Sequence, residues 1–140
     1  MDAPRAGLII ANEFGHVLTL FGAKGQKWSF PKGGEEPEDN GNLFNTAVRE
    51  TQEECGLIQG RDYSVLPVPP IRLGDNTYYF AMATPGAAER IILEEGKMTA
   101  ARWLDPAFPG LPDKALNNGV RLYIRRVKRQ YAAWKAAGIL

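Results

Sequence analysis

Arg49-Glu50-Thr51-Gln52-Glu53-Glu54-Cys55-Gly56-Leu57 is the stretch on which the reading of this chain turns. Glu50, Glu53 and Glu54 stand at i, i+3 and i+4, and at ~100° per residue they share one side of a helix within a single turn. Phe44, Ala47, Val48, Thr51 and Cys55 recur at three- and four-residue spacing and mark an opposite, apolar face. The pattern predicts a helix from Leu43 to Cys55, capped by Asn42 and stopped by Gly56. Like charges at this spacing repel by about 0.2–0.5 kcal/mol per pair. A hard divalent cation would offset that, since Mg²⁺ and Mn²⁺ take carboxylate oxygens and keep waters that substrate phosphates replace. Taken alone, the three glutamates read first as a solvated acidic face with Arg49 as a local salt-bridge partner.

The flanking sequence shifts that balance toward chemistry. Trp28-Ser29-Phe30 reads as a short strand stopped by Pro31. Lys32-Gly33-Gly34 follows, with no strand read there, and then an acidic, proline-containing loop through Asn40. Two glycines let backbone approach a metal or a phosphate closely, and Lys32 can serve as a phosphate counter-charge. Further upstream, Leu8-Ile9-Ile10 and Val17-Leu18-Thr19-Leu20-Phe21 read as a hairpin around a turn from Asn12 to Gly15, followed by a Lys/Gly-rich loop from Gly22 to Lys27. Downstream, strands are expected over Tyr63–Val68, Ile71–Leu73 and Thr77–Ala83, the last two joined through Gly74-Asp75-Asn76. A further strand, Ala101–Leu104, precedes a Pro-rich segment from Asp105 to Pro112. One final helix is expected from Asn117 to Ala137, with Val120, Tyr123, Ile124, Val127, Tyr131 and Trp134 as its apolar stripe. Strands, helix, strands, helix implies an α/β fold, a mixed sheet packed between helices rather than a regular parallel βαβ array.

With these residues in view, the chain resembles the Nudix hydrolases, whose signature is G-x5-E-x7-R-E-U-x-E-E-x-G-U, with U a bulky apolar residue. Arg49, Glu50, Glu53, Glu54, Gly56 and Leu57 match its second half. Trp28-Ser29-Phe30-Pro31-Lys32-Gly33-Gly34 is similar to the family's lead-in, and Ala101-Arg102-Trp103-Leu104 to a late strand of many members. The resemblance implies a Nudix-like α/β/α sandwich. It implies Mg²⁺ or Mn²⁺ held by Glu50, Glu53, Glu54 and the Gly33 carbonyl, with one of these glutamates able instead to orient the attacking water. It implies catalytic roles for Glu53 and Glu50, with Arg49 pairing a helix glutamate and holding its orientation. Many members add a glutamate from a loop before the last strand, where Glu94 and Glu95 stand here; Glu95 is carried as the catalytic candidate. Lys32 and Gly34 would face the substrate. There are two departures. Thr51 fills the first bulky apolar position, and Gly41 falls where the upstream glutamate belongs. The stretch from Gly34 to Arg49 is one residue longer than the pattern, so Glu38 or Asp39 takes that place.

A chain of 140 residues is one ordinary domain, here residues 1–140. Its 44% apolar and 24% charged content argue against wholesale disorder, and no apolar run approaches the ~20 residues of a membrane helix. The N-terminus shows no signal-peptide cleavage pattern, and a single cysteine, Cys55, excludes an internal disulfide and a cysteine-based zinc cage, so the chain reads as cytoplasmic. Net charge is +1, so no bulk field draws it to nucleic acid or membrane. His16, the single histidine, falls in an expected strand away from the carboxylates and reads as a surface residue. Cys55 reads as a buried small side chain. Tyr78, Tyr79, Phe80 and Trp103 are available for base stacking but are core by default in strands.

Arg121, Arg125, Arg126, Lys128, Arg129 and Lys135 face away from the apolar stripe of the final helix, and no acidic residue follows Asp113. This is either a solvated face or a docking surface for RNA or a polyphosphorylated ligand, with Arg125 and Arg129 as the contacts. The lead-in is similar to that of members acting on dinucleoside polyphosphates, diphosphoinositol polyphosphates or capped RNA 5′ ends. The expected partner is therefore a phosphate-rich small molecule or an RNA 5′ end, with no membrane; a homodimer stays open. The competing reading is a Nudix-fold nucleotide or RNA sensor that does not hydrolyse. Such modules usually lose a metal carboxylate, and this chain keeps all three. A diphosphate isomerase on the same fold would need a catalytic cysteine outside the signature, whereas Cys55 lies within it.

Overall fold

The computed structural model describes residues 3–140. Its sheet is built around β1 (Arg5–Ala11), an apolar run fully buried from Ala6 to Ala11. One edge of β1 pairs in parallel with β7 (Asn76–Ala83), from Arg5↔Asn76 to Ala11↔Met82. Its other edge is shared. β4 (Lys32–Gly34) pairs antiparallel with its start, and β2 (Val17–Gly22) meets its end only at Ala11↔Val17. The expected hairpin is therefore a corner: past the Asn12–Gly15 turn β2 diverges from β1 and pairs along its length with β8 (Met98–Leu104) and with β3 (Trp28–Ser29). β5 (Tyr63–Val65) and β6 (Ile71–Leu73) pair antiparallel with β7. The β6–β7 hairpin closes through Gly74, whose φ of +63° suits a residue without a Cβ.

Alternation along β1 and β7 sends side chains to two layers. Ala6, Leu8, Ile10 and Ala81 pack toward α1 (Leu43–Cys55), where Ala47 and Cys55 close the cluster. Ile9, Tyr78 and Phe80 pack toward α2 (Asn118–Val127) and α3 (Gln130–Ala136), against Val120, Tyr123 and Tyr131. The result is a mixed sheet between helices, the α/β arrangement expected. No helix among the described residues is long and apolar enough to cross a membrane.

Four local expectations are corrected. Lys32-Gly33-Gly34 is a strand, because its glycines permit close approach rather than break pairing: a Cβ on Gly33 would lie 2.1 Å from the Glu50 carboxyl carbon. The final helix is two helices with Lys128 and Arg129 between them. The break accompanies the seating of Tyr131, whose hydroxyl donates to the carbonyls of Ile9 (2.6 Å) and Ala81 (3.1 Å). The late strand begins at Met98 rather than Ala101, extended past a register shift at Phe21/Gly22. His16 stands in the turn before β2, half-buried and 3.7 Å from Asp105, not in a strand.

Candidate active site

Helix α1 begins and ends as the sequence dictates. The Asn42 side chain accepts the Phe44 N–H (2.9 Å), and Gly56, at φ +75°, donates its N–H to the Gln52 carbonyl (2.9 Å). This fixes the helix over the β1–β4 end of the sheet. Cys55 is buried on its apolar side, where desolvation pushes the thiol up to about 12, so it is a packing residue rather than a nucleophile.

The carboxylates face the β4 strand. The Glu50 carboxylate lies against the Gly33 backbone, a contact no other residue type permits. Glu54 Oε1 accepts the Lys32 N–H at 3.2 Å. Burial is the main force on both carboxyls, and it disfavours their charged forms. Glu54 is pushed up to about 8 by desolvation, with the charges of Glu50 and Glu94 adding to the N–H-opposed shift. Glu50 is raised by burial against the attraction of Arg49, with Glu53 and Glu94 also repelling it. Lys32 is lowered, first by burial and then by Arg5 nearby, while Glu54 and Glu50 pull it back up.

Arg49 ties the arrangement together. Its Nη1 donates to Glu50 Oε1 (3.2 Å) and to both Glu53 oxygens (3.1 Å each), and its Nη2 to the Gly34 carbonyl (2.8 Å). Its other face meets Asp39, through Nε to Oδ1 (2.8 Å) and Nη2 to Oδ2 (3.0 Å). Asp39 is only 2% exposed and also accepts from Thr46 Oγ1 (2.7 Å) and the Glu36 N–H (2.9 Å). Bonds from Arg49, above all, hold its carboxyl well below the usual carboxylate range despite burial. Glu38, 69% exposed, comes only within 3.8 Å of Arg49 Nε. Of the two acidic residues offered by the spacing, Asp39 is the one seated against Arg49. The extra residue is absorbed by Asn40 and Gly41, both left-handed at φ +57° and +72°, between a 3-10 turn at Pro37–Asp39 and the Asn42 cap. Thr46 was missed because a threonine among apolar positions reads as core; its buried hydroxyl is explained only by Asp39.

The segment before β8 is laid along the end of α1: the Ile92 N–H donates to the Cys55 carbonyl and the Glu94 N–H to the Glu54 carbonyl, both at 2.9 Å. Glu94 is thereby the loop carboxylate whose charge acts on Glu50 and Glu54. Glu95, the candidate carried from the sequence, is exposed in the following turn. Gly34 and Lys32 border the carboxylates through β4. Arg125 and Arg129 do not join them. Both are exposed on the helical layer across the sheet, Arg129 in the break rather than on a shared helix face, and Arg125 lies 3.6 Å from Asp113.

Among the described residues no three His, Cys, Asp or Glu side chains are drawn together tightly enough to enclose a metal ion by themselves. The donor chemistry nonetheless fits one. Glu50 and Glu54 are desolvated, mutually repelling hard oxygen donors beside backbone, and Glu53, 48% exposed, is engaged by Arg49. Such a set suits a small dication that keeps several waters, as Mg²⁺ does, rather than an all-protein cage.

The comparisons with known proteins agree with this fold. The family model described as NUDIX domain matches residues 1–127. No curated protein sequence matches the chain. Among solved structures, the Caenorhabditis elegans Ap4A hydrolase binary complex superposes with a TM-score of 0.70 at 18% identity, covering 95% of this chain and 98% of that one. A NUDIX-family hydrolase from Clostridium perfringens gives 0.66 at 18% identity, over 89% and 95%. The NUDIX domain of Shewanella oneidensis NrtR, complexed with ADP ribose, gives 0.67 at 12% identity, over 94% and 89%.

Proposed function

The chain belongs to the Nudix family, as a Nudix-type hydrolase, and we propose that it cleaves a diphosphate linkage with Mg²⁺ or Mn²⁺. The substrate is a nucleoside diphosphate-linked or polyphosphorylated compound: a dinucleoside polyphosphate, a diphosphoinositol polyphosphate or a capped RNA 5′ end. The observation that carries this reading is the pair of desolvated carboxylates, Glu50 and Glu54, pressed against the β4 backbone. Their partial burial disfavours the charged forms, a cost that a cation completing the site would offset.

Glu50, Glu54, Glu53 and the Gly33 backbone would hold the ion, which when bound neutralises phosphate charge and lowers the pKa of water. Water adds to one phosphorus and the bridging P–O bond breaks, giving two phosphate-terminated products. The chain's own groups set this up. Lys32 neutralises a phosphate oxygen. Glu53, the most exposed of the three glutamates, orients the water, and Arg49 holds Glu53 in place. Asp39 and the Gly34 carbonyl in turn hold Arg49. Glu94 stands by as a further carboxylate at Glu54. The protein works where Mg²⁺ and nucleotides are found, a cytoplasmic setting. The test is phosphate or diphosphate release across nucleoside triphosphates, a nucleotide sugar, diadenosine polyphosphates, a diphosphoinositol phosphate and capped RNA. Metal-dependent release from one class supports the reading; silence across all, with ligand still bound, would make the protein a sensor.

A further inference from the structure

We propose that Arg5 and Arg72 form a cationic subsite for phosphate groups lying beyond the linkage that is cut. The preferred substrates are then polyphosphorylated compounds rather than those carrying the scissile diphosphate alone. This inference rests on the hydrolase reading of the same site.

An open cavity of about 380 Å³ lies where the starts of β1 and α1 meet the β6–β7 hairpin. Arg5, Leu43, Arg72, Asp75 and Thr77 line it. Its size falls in the ~300–1,000 Å³ range of small-molecule sites. The backbone places both arginines: Arg5 is in register with Gly34 of β4, and Arg72 with Thr77 of β7. Gly34 leaves this edge open, since a Cβ there would meet only Arg5 Nη1, at 3.9 Å. The Gly34 carbonyl is the one that Arg49 holds, so the cavity adjoins the carboxylate site through a single strand.

The charge balance points to an anion. Among the described residues, neither Arg5 nor Arg72 takes part in an ion pair. Asp75 is the one carboxylate in the lining. Two guanidinium groups against one carboxylate leave the lining net positive. Guanidinium groups match phosphate oxygens in bidentate fashion, and two of them in one concavity favour a ligand with several such groups.

Inorganic tripolyphosphate tests the subsite without turnover. Its binding, measured calorimetrically without divalent metal, should weaken about tenfold in Arg5→Gln and in Arg72→Gln, and more in the double variant, as expected for lost charge-assisted bonds. Arg5→Lys should recover part of the affinity, because charge is restored without the bidentate fork. Lys114→Gln removes an exposed charge elsewhere and should bind as the wild type does. On diadenosine tetraphosphate the substitutions should raise KM about tenfold while kcat stays within about threefold. ADP-ribose should show the smaller rise. Thermal melts establish that each variant folds. Equal tripolyphosphate binding by wild type and double variant, no binding by the wild type, or a loss in kcat with KM constant would overturn the proposal. If nothing is hydrolysed but tripolyphosphate binding still falls in the variants, the subsite stands and the hydrolase reading fails.

Discussion

Replacing Asp39 by Asn should cost this protein far more than replacing Glu38 by Gln. Asp39 is 2% exposed and accepts two bonds from Arg49, one from Thr46 and one from the Glu36 N–H. Asparagine keeps the shape, but it removes the charge and turns an NH₂ toward donors. Hydrogen bonds to charged groups are worth about 1.5–3 kcal/mol each, and breaking a buried pair costs about 3–5 kcal/mol. Arg49 retains Glu50 and Glu53, which softens the loss to about 2–4 kcal/mol by the same reckoning. At roughly 2–4 °C per kcal/mol for a chain near this size, Tm should fall by about 4–16 °C. Glu38 is 69% exposed at 3.8 Å, so Glu38→Gln should cost under about 0.5 kcal/mol and shift Tm by less than about 2 °C. Activity should follow the same order, falling about 10–100-fold in Asp39→Asn, because Arg49 then holds Glu53 and Gly34 less firmly. Circular-dichroism melts and kcat/KM on one substrate read both effects. Equal losses in the two variants, or the larger loss in Glu38→Gln, would refute the assignment of Asp39 as the partner of Arg49.

Glu54→Gln should abolish turnover while raising metal-free stability by about 1 kcal/mol, since glutamine is neutral in the buried site without having to take up a proton on folding; a drop in the metal-free melting temperature would count against the burial argument. Gly33→Ala should lower activity more than tenfold, because its Cβ would sit 2.1 Å from the Glu50 carboxyl carbon and displace that group; a variant with normal rates would show that Glu50 is not confined there. Burial alone would raise the Asp62 pKa, but bonds from Arg61, Arg90 and the Ile58 N–H outweigh it and hold the carboxyl low. Its contribution is then complete above the unfolded pKa of about 3.9 and is lost as pH falls toward the folded value. Asp62→Asn should therefore be destabilised at pH 7, with a gap to wild type that narrows below about pH 4; a gap independent of pH would contradict this. Charge reversal at Arg125 and Arg129 should leave KM for diadenosine tetraphosphate within about twofold, since both lie across the sheet from α1 and are screened by salt. A weaker, flatter salt dependence for RNA in that variant would restore the basic face as a docking surface.

Helix α1 was legible because three independent signals coincide: an apolar stripe, an Asn cap and a glycine stop at the right distance. β4 was not, because glycine's low strand preference conceals a requirement set by a distant partner, the Glu50 carboxylate. The β1–β2 corner is hidden for a similar reason. Two apolar runs around a short turn look like a hairpin, and only long-range pairing with β8 and β7 shows that they separate. The stripe from Val120 to Trp134 is real, but periodicity does not record that Tyr131 bonds sheet carbonyls across a break at Arg129. At the site, spacing placed the three glutamates on one helix face, while only the flanking motif pointed them toward chemistry. The choice of Asp39 over Glu38 depended on a left-handed turn at Asn40 and Gly41. Arg5 and Arg72 belong to no motif, since strands far apart in sequence bring them to one cavity.

The central claim is that desolvated carboxylates on α1 serve diphosphate hydrolysis. Phosphate release from the substrate panel, with and without Mg²⁺ or Mn²⁺, by wild type and by folded Glu54→Gln tests it most directly. The account predicts metal-dependent release from a polyphosphorylated member that disappears in the variant. Equal release by both proteins, or none from a folded wild type that binds the metal, would contradict it.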